Sequence, residues 1–493
     1  MTSRSLLAVL AVACAALAVG PAAVAADSGP RPAALTPTAI DSYLHGYLDR
    51  TGLPGATVAV TREGEVVHTA GYGRSAAGED LTAHTPMPIA SLSKSMTAMA
   101  VLRLVEEGEV ALDEPVRQYV PEFTMADERA GRITVRQLLN QTSGMADSAH
   151  PDLRRPQPHT LREAVAALGS ARLATEPGTT WNYHNPNYAV AARLVESVSG
   201  RPYADYLSDE VFTPLGMADA RSVDTTDDMP DHARGHVRAY GQVFAADHPR
   251  WFVAGAFGVL ASADDLAQWL IAQRDGGGVL SPAGLDTLHT PPDGERYAMG
   301  WSDAREGDGP PVLQHSGQLL THNALQTLLP EQGISLAVVT NTGMVSGDDA
   351  AVITDGLIGL AHGRDPGTGE PFSMTADYLL AALTLLALGL AVRGALRARR
   401  WAARAAARPR WRTALRLLPY TLGPALLYGL TDLAGLLMNR AGTLGQLLYV
   451  WPALVIWAAA TALACTVLLL ARALAWLTAR EPASAPRAFL PVT

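Results

Sequence analysis

The hydrophobic pattern of this chain changes period several times along its first 370 residues. Apolar positions across Ile40–Leu48 recur at helical spacing and predict an amphipathic helix. Ala56–Val60 and Val66–Thr69 alternate instead, on either side of Glu63-Gly64-Glu65, and predict a β-hairpin. A helix is predicted to open at Ser91 and run to about Glu107, where Gly108 stops it. Helical patterns then dominate from about Thr134 to Leu288, broken by loops rich in Pro, Gly and Asp. Strand-like runs return at Val312–His315, Asn323–Leu329 and Ile334–Thr340, before a closing helix near Ala350–His362. Strands at both ends with helices between predict an α/β (α+β) domain. Its antiparallel sheet would be built from the two chain ends and carry an inserted helical subdomain. No internal repeat is visible.

The termini follow another pattern. Residues 1–26 read as a secretory signal: Arg4 is the charged start, Ser5–Gly20 the apolar stretch, and Ala23-Val24-Ala25-Ala26 the small residues for cleavage. Cys14 has Ala11 three positions before it, which makes a poor lipoprotein site, so it reads as an ordinary cysteine of a discarded peptide. Near the other end, Leu447–Leu470 is a charge-free run of 24 residues, ample for a hydrocarbon core of ~30 Å. Tyr378–Val392 is shorter and recruits Ser373–Ala376, with Asp377 near the interface. Leu417–Met438 is a third apolar stretch, carrying Pro419, Pro424 and Asp432. The chain thus divides into a signal (1–26), an exported domain (27–364), a Pro/Gly linker (365–373), a membrane module (374–477) and a tail (478–493). About three transmembrane helices are predicted, at 374–392, 417–438 and 447–470. Arg393, Arg397, Arg399, Arg400, Arg404, Arg408, Arg410 and Arg412 place the first loop in the cytoplasm. This predicts a multi-pass protein of the cell membrane, with the large domain outside and the tail inside. Asp432, at the outer end of its stretch, reaches the interface.

Charge partitions in the same way. Residues 27–372 hold 24 Lys and Arg against 44 Asp and Glu, a net of −20, while the rest of the chain is +11. An acidic exported domain excludes a nucleic-acid partner, whose phosphates need a basic footprint. The basic loop suits anionic lipid headgroups, so the expected partners are membrane lipid and a small-molecule or peptide substrate. Cys14 and Cys465 both lie in apolar end segments, so the exported domain has no disulfide, thiolate metal site or cysteine nucleophile.

Candidate chemistry centres on the single lysine of the chain. Lys94 stands among 37 arginines, three residues after Ser91 in Ser91-Leu92-Ser93-Lys94. On a helix that spacing puts both side chains on one face, where a neutral amine can take the serine's proton. Guanidinium cannot do this, because it stays protonated under any protein condition. Ser91 at a helix start would also sit where backbone N–H groups favour developing negative charge; the plainer alternatives are a helix cap and a solvated lysine. Tyr183-His184-Asn185 precedes a helix near Asn187 and offers a phenol for proton transfer beside the lysine and an amide for a substrate amide. A core tyrosine and a turn asparagine are the alternatives there. His315-Ser316-Gly317 ends a strand-like run, with Gly317 allowing substrate close to the backbone and Gln318 N–H a possible oxyanion donor; a partly buried histidine is the alternative. His232 and His236 lie four apart near Asp231 and read as a solvated loop, so neither a metal nor another cofactor is expected.

Together these segments resemble the penicillin-recognising serine hydrolases: class C β-lactamases, D,D-peptidases and their esterase and D-aminopeptidase relatives. The order S-x-x-K, Y-x-N, then K-T-G or H-x-G is filled by Ser91/Lys94, Tyr183/Asn185 and His315/Gly317. Ile133–Met145, Pro214-Leu215-Gly216-Met217 and Val338–Gly343 are also similar to the family, so the resemblance covers roughly Pro37–His362. It implies that Ser91 attacks a carbonyl while Lys94 and Tyr183 relay its proton. Asn185 and Lys94 would position the acyl group, the Ser91 and Gln318 N–H groups would hold the oxyanion, and water would release the acyl-enzyme. His315 departs from the β-lactamase pattern, whose third motif supplies a lysine cation, so the H-x-G form looks more like the D-aminopeptidase and esterase branches. Two other readings are a true β-lactamase and a receptor acylated by its ligand without turnover.

Overall fold

The computed structural model describes residues 35–480 apart from 308, 344–347, 439 and 441. The expected signal segment and the end of the tail lie outside the described residues. The chain forms two compact units. One contains Asp27–Met374 together with Ala434–Pro452; the other is built from the C-terminal segments Thr375–Leu433 and Ala453–Thr493.

The first unit is organised by one antiparallel sheet. Its strands are β1 (Gly55–Arg62), β2 (Glu65–Gly73), β3 (Leu313–Gln318), β4 (Asn323–Leu329) and β5 (Ile334–Thr340), in the order β2-β1-β5-β4-β3, with Ser302–Asp303 at the far edge. The N-terminal hairpin therefore lies directly against the C-terminal strands, Ala56 facing Thr340 across the β1–β5 pair. The expected sheet from both chain ends is present.

Alternation sets the two faces of this sheet. Ala56, Val58 and Val60 of β1 share a core with Leu336 and Val338 of β5. They pack on α1 (Pro37–Thr51) and on the C-terminal helix Asp349–Ala361 through Ile40, Leu44, Tyr47, Ile353 and Leu357. Ala59, Ala337 and Val339 point the other way, into a larger core with Met96, Met99 and Trp269. Burying each large side chain of this kind contributes roughly 1.5–3 kcal/mol, so the alternation fixes which face receives which helices. α1 starts where Pro37 takes the first turn and the Thr36 hydroxyl accepts the Ala39 N–H, and it ends at left-handed Gly52.

The inserted region is less helical than its pattern predicts. Gly235–Ala239 and Gln242–Ala246 form a hairpin, and Val259–Ala261 pairs with Met87–Pro88. The hairpin turns at Tyr240 and Gly241, both with positive φ (52° and 73°), which is the two-residue turn that matches strand twist. A tyrosine in that turn gives no turn signal in the sequence.

Two helices of the C-terminal part are long and apolar enough to cross a membrane, Phe372–Leu396 and Pro452–Thr478. They correspond to the first and third expected spans. The second, at 417–438, is instead broken into Leu418–Thr421, Leu422–Tyr428 and Leu430–Met438. Pro419 and Pro424 lack the N–H that a continuous helix needs, and Gly429 ends the middle piece. The third begins later than its apolar run, because Trp451 leaves helical geometry before Pro452. Its first residues belong to a separate short helix, Leu444–Val450, which lies in the sheet-containing unit.

Candidate active site

Ser91 sits in a short 3₁₀ turn, Ala90–Leu92, that runs straight into α2 (Ser93–Glu106). Ala90 has φ of 50°, a left-handed conformation that costs a non-glycine residue on the order of 1 kcal/mol. Neighbouring bonds hold it: Ser93 Oγ donates to Ala90 O at 2.6 Å and accepts from Val259 N at 3.0 Å. Strain at the residue before Ser91 thus fixes where the Ser91 hydroxyl stands.

Lys94 is fully buried in the first turn of α2. Its Nζ lies 3.0 Å from Ser91 Oγ and 2.9 Å from Ala256 O. Burial is the main cause that holds the amine well below the usual lysine range; Arg440 lowers it further and Asp152 opposes. The Ala256 carbonyl can only accept, so it takes an N–H and leaves the lone pair of a neutral amine for the Ser91 proton.

The Tyr183 phenol faces Ser91, and Lys94 Nζ lies 4.8 Å from the centre of its ring. Burial pushes Tyr183 up to about 12, with Ser91 and Arg440 working against it. At neutral pH Tyr183 therefore carries its proton. It can donate and pass a proton on, whereas Lys94, held below its usual range, can accept one.

Asn185 is buried at the start of α3 (Pro186–Ser199). Its Nδ2 reaches Asp152 Oδ2 at 3.5 Å, and its Oδ1 has no protein partner among the described residues. The Tyr183–Asn185 loop is clamped by Gln141, itself in a left-handed conformation (φ 61°). Gln141 Oε1 accepts from His184 N at 3.0 Å and from Asn187 Nδ2, and Gln141 O accepts from Asn182 N at 2.9 Å. The Ile133–Met145 stretch thus holds the loop in place.

His315 is on β3 beside this group. Its Nδ1 lies 2.7 Å from Ser316 O and its Nε2 lies 3.1 Å from Tyr297 Oη. A carbonyl only accepts, so Nδ1 carries the proton and Nε2 accepts from Tyr297. Burial and the nearby Lys94 push His315 down to about 3. It is a neutral wall of the site.

Gly317 is required for a different reason from the one its motif suggests. A Cβ there would stand 2.6 Å from Ile89 O and 3.0 Å from Ala90 Cβ. The close approach comes from the chain's own backbone at the Ser91 turn. Gly317→Ala is expected to displace that turn and slow Ser91 acylation by roughly 10²-fold, measured as the rate of fluorophosphonate labelling. An unchanged rate would show that the turn tolerates the shift. Gln318 is exposed at the end of β3, and its side chain bonds Asp348.

Four contributors were not visible as motifs. Ala256 acts through its carbonyl, which any residue could supply. Tyr297 packs edge-on against Tyr183 and His315, at 6.1 and 5.7 Å between ring centres. Asp152 opens a short 3₁₀ turn, Asp152–Arg154, outside the three motifs, and Arg440 Nη2 lies 3.4 Å from its Oδ2. Asp147, Asp152 and His184 offer ligand atoms within 4.8 Å of one another, a grouping that could accept a metal ion. The Arg440 guanidinium already supplies a cation beside it. His232 and His236 are not part of this cluster.

Residues 40–359, well over half of the chain, match the beta-lactamase family. This chain belongs to the beta-lactamase family. The match closely tracks the region over which the motifs resemble it. Protein flp of Staphylococcus aureus (strain MW2) is 27% identical over 315 residues, covering 61% of this chain and 62% of that protein. A D-aminopeptidase of Brucella canis is 30% identical over 247 residues, 47% of this chain and 44% of the aminopeptidase. The chain thus spans less than two thirds of the length of these curated relatives. Among solved structures, the octameric penicillin-binding protein homologue from Pyrococcus abyssi superimposes with a TM-score of 0.56 at 25% identity, over 69% of this chain and 80% of that one. As a beta-lactamase family domain the chain has the three motifs in one place: Ser91, Lys94, Tyr183 and His315 are linked by the contacts above. Asn185 borders them through its loop.

Proposed function

We propose that this protein is a membrane-anchored serine hydrolase whose beta-lactamase family domain works outside the cell, cleaving an amide or ester through an acyl-enzyme. The observation that carries the reading is the buried Lys94 amine 3.0 Å from Ser91 Oγ, held well below its ordinary range. Ser91 Oγ bonds to the substrate carbonyl carbon as its proton passes to Lys94 Nζ. The Ser91 and Gln318 N–H groups receive the oxyanion. Collapse breaks the carbonyl bond to the leaving amine or alcohol, which takes the proton back through Lys94 and Tyr183. Water then adds to the acyl carbon as Lys94 takes its proton, the bond from that carbon to Ser91 Oγ breaks, Ser91 Oγ takes the proton back from Lys94, and the carboxylic acid leaves. Asn185 Oδ1, a buried acceptor without a partner among the described residues, suits the N–H of a bound amide.

The substrate reading follows from His315. A neutral histidine gives the third motif no cation, which disfavours efficient β-lactam hydrolysis. It suits the D-amino-acid peptidase, amidase or esterase branches, in line with the D-aminopeptidase relative. Two apolar helices support the anchor, and the arginine-rich segment between the first and second apolar stretches supports the orientation. A receptor acylated without turnover is the competing reading, and slow deacylation would mark it.

Intact-mass analysis of the full chain after fluorophosphonate treatment tests the reading. One added phosphonyl group on the wild type, and none on Ser91→Ala, is expected. Labelling that survives Ser91→Ala would overturn it.

A further inference from the structure

The unit that carries the site also contains Ala434–Pro452, a stretch that lies in sequence between two apolar segments of the C-terminal part. Several bonds attach it. Arg154 Nε donates to Gly442 O at 2.8 Å, and Gln446 Nε2 donates to Leu153 O at 2.9 Å. Tyr449 Oη donates to Asp247 O at 2.8 Å, and the Tyr449 and Val450 side chains pack on the larger core. Thr443 and Gln446 form a capping box that fixes the start of Leu444–Val450. Just before this helix, Arg440 is largely buried, its side chain 23% exposed, with Nη2 on Asp152 Oδ2. The same carboxylate oxygen receives Asn185 Nδ2.

We propose that this stretch completes the active site, with Arg440 acting as a positioning residue that holds Asp152 and, through it, Asn185 and the charge balance around Ser91 and Lys94. The inference rests on the Ser91–Lys94 reading above. Its physical basis is the pairing of the two charges. Asp152 alone would be a carboxylate beside a base that must lose its proton; Arg440 neutralises it. Lys94 and Tyr183 both lie within the field of this pair, Arg440 favouring the deprotonated form of each and Asp152 the protonated form. The other ionisable groups facing Lys94 are Tyr183, Tyr188 and His315, all neutral near pH 7. Asp147, which contacts His184 Nδ1 at 3.0 Å, faces Arg440 as well, so the charges nearest the site are those of Arg440, Asp152 and Asp147, and Arg440 comes from outside the region that matches the family.

The single lysine makes this testable without any substrate. Full-length protein labelled with ε-¹³C-lysine gives one side-chain resonance, whose pH titration reports Lys94 directly. Arg440→Ala is expected to move that titration upward by about one pH unit, Asp152→Asn to move it downward, and the double variant to return it towards wild type. Arg440→Lys would add a second lysine, so Arg440→Gln serves as the size-matched control and should behave as Arg440→Ala. Fluorophosphonate labelling on the acid limb should fall about tenfold in Arg440→Ala and recover at higher pH. A Lys94 titration unmoved by Arg440→Ala and Arg440→Gln, in protein with unchanged thermal stability, would overturn the inference. Wild type that titrates as expected but never labels at Ser91 would instead sink the hydrolase reading and leave the charge coupling standing.

Discussion

Lys94→Arg abolishes acylation of Ser91, with an expected loss of at least about 10³-fold. Arginine keeps the positive charge and most of the length, so a residue needed only for charge would tolerate it. A base would not, because guanidinium does not release its proton in the accessible pH range. The site also leaves no room for compensation. Lys94 is fully buried, and its Nζ is already placed between Ser91 Oγ and Ala256 O. The wild type has a matching signature in its pH dependence. In the proposed mechanism the working form of Lys94 is the neutral amine, and its folded-state pKa is depressed. Acylation therefore rises with pH through that depressed value and is lost as pH falls below it. His315, near 3, and Tyr183, near 12, do not titrate between these limits. A single acid limb, well below the ordinary lysine range, is the expected profile in full-length protein. Lys94→Arg that retains acylation within tenfold of wild type would refute the assignment of the base.

Asp349→Ala is expected to destabilise the sheet-containing unit by about 3–5 kcal/mol, lowering its thermal midpoint by roughly 5–15 °C. Asp349 has no solvent exposure and is the meeting point of three parts of the chain. Its Oδ1 is 3.0 Å from Arg238 Nη1, from the hairpin of the inserted region, and 2.8 Å from Tyr47 Oη on α1. Its Oδ2 accepts from Thr342 Oγ1 at 2.7 Å, just past β5. Removing the carboxylate strands a buried guanidinium and two buried hydroxyls, which costs far more than the net value of the pair itself. The double variant Arg238→Met/Asp349→Leu should recover much of the loss, because no unpaired charge remains. Differential scanning fluorimetry on the full chain measures both. A single variant within about 1 °C of wild type would mean that water enters and satisfies Arg238.

The sequence by itself determined the parts of this protein that depend on local pattern. The apolar runs at Ala56–Val60, Asn323–Leu329 and Ile334–Thr340 settle the strands, because short apolar runs of this length suit strands buried on both faces. The spacing of Ser91 and Lys94 settles their contact, because three residues are nearly one helical turn. The single lysine among arginines points to chemistry that only an amine performs. What depends on distance along the chain was decided by tertiary structure alone. The left-handed Tyr240 in its turn and the Ala256 carbonyl leave little trace in composition, since backbone geometry and backbone oxygens are not written in side-chain identity. Gly317 was legible as a glycine, but its neighbour, Ile89 O, was not. Asp152 and Arg440 are 288 residues apart, and nothing in either local pattern links them. Folding brings the two charges together beside a buried amine, where low polarity makes each felt by the other and by Lys94.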